Sequence, residues 1–161
     1  MGQVDKVYQS LGDVLESFKH CGFKVTDGES HGSVVITSEA CELKLRLSES
    51  WLSLNFYMFD KDHQPREFYF IDTDNYNLAA KKNAQFGKEI LGEIKSFLEK
   101  LLQGEVLYGV ERGKTYLLIC NDSSEGTLVC KGRLLLTRKR VKGSKYDRLR
   151  SQLKPLVSCE E

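Results

Sequence analysis

The chain has 161 residues, of which 40% are apolar and 29% charged, with only two prolines. That composition excludes a disordered or collagen-like chain, and the length suffices for a core that needs no disulfide or metal staple. The net charge of +1 hides a division: residues 1–130 hold 14 basic and 20 acidic side chains, whereas residues 131–155 hold 10 basic side chains and one acid, Asp147.

The length predicts one domain over residues 1–161. The five cysteines (Cys21, Cys41, Cys120, Cys130 and Cys159) include no pair separated by two residues. A zinc site usually needs such a pair, because a local turn must aim two ligands at one ion. Scattered cysteines of this kind read as small buried hydrophobes in a reducing compartment. Residues 1–6 carry no apolar run behind their charges, which predicts no signal peptide. Lys6 stands where a myristoylation pattern wants Ser or Thr. No run of about 18 apolar residues occurs, so no membrane-spanning helix is expected and the placement is cytoplasmic.

Val4, Val7, Leu11, Val14, Leu15 and Phe18 recur at helical spacing and predict an amphipathic helix over 3–20, ended near Gly22. Strand signals follow at 23–25, 33–37, 43–47, 51–59 and 68–71. Leu43, Leu45 and Leu47 alternate with charged residues, and Leu52, Leu54, Phe56 and Met58 share one strand face. Together these predict an antiparallel meander. Phe86, Ile90, Leu91, Ile94, Phe97, Leu98, Leu101 and Leu102 predict a long helix over about 76–102, with Gly104 just past its end. Strands are expected at 106–110 and 115–120, and a long extended stretch over 127–141 with a bulge at Gly132. Ser144 and Asp147 have the spacing of a capping box, which predicts a short basic helix with Tyr146, Leu149 and Leu153 on one face, ended by Pro155. The fold class is therefore α+β: an antiparallel sheet of about six to eight strands, in one sheet or two, with an N-terminal amphipathic helix, a long central helix and a short basic C-terminal one.

Few residues form a chemical constellation. His20, His31 and His63 are widely separated and belong to no ligand pattern. Asp60, Asp62, Asp72 and Asp74 make the best metal candidate, yet a calcium loop starting at Asp72 would need Gly and Glu where Asn77 and Asn83 stand. Capping is the stronger reading of these residues, because Asp and Asn gather at helix starts to satisfy free N–H groups. Glu42-Leu43-Lys44 has the Glu-x-Lys form of metal-dependent nucleases, but Glu93-Ile94-Lys95 matches it too, on a helix. No phosphate-binding loop, nucleophile elbow or dinucleotide fingerprint is present, so no cofactor is implied.

The basic segment is the strongest positive feature. Arg133, Arg138, Lys139, Arg140, Lys142, Lys145, Arg148 and Arg150 are its candidate binding cations. Tyr146 is the aromatic that would stack a base if the ligand were nucleic acid. A solvated helix face, with Leu149 and Leu153 packing on the other side, and self-pairing with the acidic body are the competing readings. The sequence is thus read as a binding protein rather than an enzyme. The expected role is to mask or scaffold a protein partner, or to self-associate, in the manner of immunity proteins and secretion chaperones. Nucleic-acid binding is the alternative and a metal-dependent hydrolase the second alternative.

Overall fold

The structure, a computed structural model, describes residues 3–28, 32–47, 52–72, 84–132 and 135–157, with the backbone alone for 3–10, 72 and 84–86. The described residues form three helices and two five-stranded antiparallel sheets. The α+β class and the antiparallel pairing thus match the sequence reading, while the strands number ten rather than six to eight. The chain divides into two compact units, Met1–Leu98 and Glu99–Glu161.

The first unit opens with α1 (Gln3–His20), whose Leu11, Val14 and Phe18 are buried. The helix stops as Gly22 suggests. Gly22 adopts φ +88°, the Phe23 N–H donates to the Phe18 carbonyl at 3.0 Å, and the two rings meet edge to face at 5.1 Å. This is the hydrogen bond and apolar contact of a Schellman end. The strands β1 (Lys24–Asp27), β2 (Ser33–Thr37), β3 (Cys41–Leu47), β4 (Leu52–Phe59) and β5 (Pro65–Asp72) pair in chain order. Their inner face carries Val34, Ile36, Leu43, Leu45, Leu47, Leu54 and Phe56, all buried. The helix α2 (Ala84–Leu102) meets this face through Phe97, which contacts the rings of Phe56 at 5.6 Å and Tyr69 at 4.8 Å. Residues 76–83 of the expected helix lie outside the described residues.

The second unit holds β6 (Val106–Glu111), β7 (Lys114–Cys120), β8 (Glu125–Lys131), β9 (Leu136–Lys142), α3 (Gly143–Gln152) and β10 (Lys154–Pro155), with strand order β10-β6-β7-β8-β9. Arg112 and Gly113, at φ +52° and +74°, make the two-residue turn between β6 and β7. Two successive positive φ values give a turn twist that matches the strands. Leu107, Leu118, Cys120, Leu128 and Val141 form one apolar face, and Tyr146 of α3 is buried against it.

Two sequence expectations are corrected here. The extended stretch 127–141 is a hairpin of two strands rather than one bulged strand, because the chain reverses after Gly132, whose N–H donates to the Leu135 carbonyl at 2.9 Å. Ser144 does not cap α3. The helix begins at Gly143, its N-cap is the extended Lys142, and no side chain caps it. Strand β9 runs directly into the helix through Gly143 at φ +66°, whose N–H donates to the Ser124 carbonyl, so Ser144 already lies inside the first turn.

Candidate functional site

The basic segment builds one edge of the second sheet and the helix beside it. Strand β9 is last in the strand order, so among the described residues only β8 pairs with it. Its residues 136–140 are all exposed, as is Leu135 before them, and Val141 is the strand's one buried position. Alternation sends Arg138 and Arg140 to one face, across from Val129 and Thr127 of β8, and Lys139 to the other, across from Leu128. Lys145, in the first turn of α3, lies against the side chain of Lys139. That contact, and the charges of Lys139 and Arg148, hold the Lys145 ammonium below its ordinary pKa. Lys142, Lys145 and Arg148 are exposed. The structure therefore brings together Arg138, Lys139, Arg140, Lys142 and Lys145, with Arg148 further along the same helix. Arg133 lies outside the described residues.

Two of the expected binding residues have another task. Tyr146 is completely buried, so its ring is not presented for stacking. Its hydroxyl donates to the Asp122 carbonyl at 2.7 Å, and burial pushes its pKa up to about 12. Arg150 donates to that hydroxyl at 3.1 Å and to both oxygens of Glu105 at 3.0 and 3.1 Å. The guanidinium fork is thereby committed to a bidentate pair that ties α3 to the residue just before β6. The acceptor loop is itself ordered by Asp122 Oδ1, which takes bonds from the Ser124 N–H and hydroxyl and from the Glu125 N–H. The core periodicity of α3, in which Tyr146 shares a face with Leu149 and Leu153, is the signal that marks it as an anchor.

The hydrolase candidates are not assembled. Among the described residues no three metal-ligating side chains come together. Asp60 spends its oxygens on the Asp62 and Gln64 N–H groups and on Arg66. Asp74 lies outside the described residues, and Asp72 is described in its backbone only. Glu42 and Lys44 do share the outer face of β3, but Lys44 sits 5.5 Å from the centre of the Tyr57 ring. His63 stacks on Phe59 at 4.6 Å, in a loop where its own φ is +60°.

That outer face of the first sheet bounds an open hollow of about 650 Å³, lined by Asp27, Glu42, Lys44, Arg46, Ser53 and Asn55 among others. Its two acids and two bases give it no preference for either sign of ligand. Burial raises the Cys41 thiol to about 11 against a small opposing effect of Ser38, and burial raises Cys120 as well. Both are protonated at neutral pH and are poor nucleophiles. Cys41, Cys120 and Cys130 are free thiols, while Cys21 is in a disulfide, which departs from the reading of the cysteines as small hydrophobes in a reducing compartment.

No helix among the described residues is long and apolar enough to cross a membrane. The chain matches no family model, no curated protein and no solved structure.

Proposed function

We propose that this protein is a binding module that masks or scaffolds an acidic protein partner through the surface formed by β9 and the first turn of α3. One observation carries the reading. Lys139, Arg140, Lys142 and Lys145 are exposed and, among the described residues, form no ion pair. Like charges held this close repel one another, and an acidic partner relieves that repulsion while adding attraction of its own. Self-pairing with the acidic body accounts for Arg150 through Glu105 but not for these four.

The protein reading is favoured over nucleic acid by what surrounds the cations. Phosphate contacts alone need only charge. Binding of single strands usually adds exposed aromatic platforms, and the aromatic of the basic segment, Tyr146, is buried. Leu135 and Leu136 are instead 69% and 45% exposed beside the cations, an apolar-plus-basic surface suited to a peptide chain.

The test compares tagged wild type with the variant carrying Lys139→Glu, Arg140→Glu and Lys142→Glu, each expressed in the native host. The wild type should retain one protein in a fixed stoichiometric ratio, and the variant should lose it while melting at the same temperature. A wild type that retains nucleic acid in salt-sensitive fashion and no stoichiometric protein contradicts the reading.

A further inference from the structure

We propose that the occupant of this surface is an extended acidic segment of the partner, which pairs with β9 as a sixth strand of the second sheet; the inference rests on the protein-binding reading above. Every second residue of an edge strand points its N–H and C=O away from the sheet, and a peptide can complete that ladder. Strand β9 offers seven residues of such an edge, and α3 packs beside its Val141 end rather than along the exposed stretch 135–140.

The side chains select the guest. Arg140 and Lys142 lie two residues apart on one face, so acids two residues apart on an added strand can stand opposite both. Lys139 and Lys145 present a second pair of cations on the other face. Exposed Leu135 and Leu136 extend the edge beyond the cations and can take an apolar residue at one end of the guest. A second copy of the chain is a poor guest, because pairing β9 with itself sets cations opposite cations, which destabilises the ladder. The same charges that guard the edge against neutral strands therefore admit an acidic one.

The experiment uses the full chain and three synthetic heptapeptides of alternating glutamate and threonine. One is unmodified, one is N-methylated on every glutamate amide, and one on every threonine amide. Alternate amides of a strand point to opposite edges, so only one methylated set blocks the ladder while all three peptides keep the same charge. The unmodified peptide should bind, one methylated isomer should bind about as well, and the other should bind at least about tenfold more weakly. The pair Arg140→Glu and Lys142→Glu should weaken the unmodified peptide by a similar factor without changing the melting temperature. Equal binding of all three peptides overturns strand addition and leaves charge-based protein binding standing. Failure of every peptide, with a single-stranded oligonucleotide bound instead, overturns both.

Discussion

The hydroxyl of Tyr146 has two partners, the Asp122 carbonyl it donates to and the Arg150 guanidinium that donates to it. Replacing Tyr146 by Phe keeps the ring but leaves the Asp122 carbonyl without that donor, which should cost about 1–3 kcal/mol, read as a lower urea midpoint. The pH dependence has a definite sign. Because burial raises the hydroxyl from its ordinary value of 10.0 to about 12, its contribution is complete below pH 10 and is lost as pH rises through 12. The variant should therefore lose less stability than wild type between those values, as followed by urea midpoints along a pH series. From the sequence Tyr146 has two readings, a helical face shared with Leu149 and Leu153 and an exposed aromatic within a basic run. The helical face decides between them, and a charge count does not weigh it.

Helix α3 can lie close against β8 because Gly126 has no side chain. A Cβ there would stand 2.9 Å from a Tyr146 ring carbon and 2.7 Å from the Ile119 carbonyl oxygen. That oxygen belongs to β7, which pairs with β8 at this point and cannot simply turn aside. Gly126→Ala should cost about 1–3 kcal/mol. Gly92→Ala, inside α2 with open space around it, should gain up to about 1 kcal/mol, so thermal melts of the two variants move in opposite directions. The elements most legible from sequence are those whose pattern is local. The alternation through Leu43, Leu45 and Leu47 and the helical stripe through Ile90, Ile94, Phe97 and Leu101 both appear where expected. The β8–β9 hairpin is less legible, because its two strands are both rich in extended residues and Gly132 serves equally for a bulge or a reversal. The start of α3 shows the same kind of degeneracy: Ser144 suits a cap, but the strand feeding the helix fixes where the helix begins.

The two units differ in charge. Residues 1–98 hold 11 basic and 15 acidic side chains, whereas residues 99–161 hold 13 basic and 8 acidic. This asymmetry was readable from the sequence, as was the stretch that produces it. Its placement on a sheet edge was not, since edge position depends on which strands pair, and pairing is long-range information. Tyr146 and Arg150 leave the binding set for the anchor of α3, and the β9 cations with Lys145 remain. Amide hydrogen exchange of the full chain, with and without the unmodified acidic heptapeptide, tests this assignment most directly. Protection should rise across residues 136–142 and fade when the salt concentration is raised. Protection confined to the strands of the first sheet, or none at a peptide concentration that saturates binding, would contradict it.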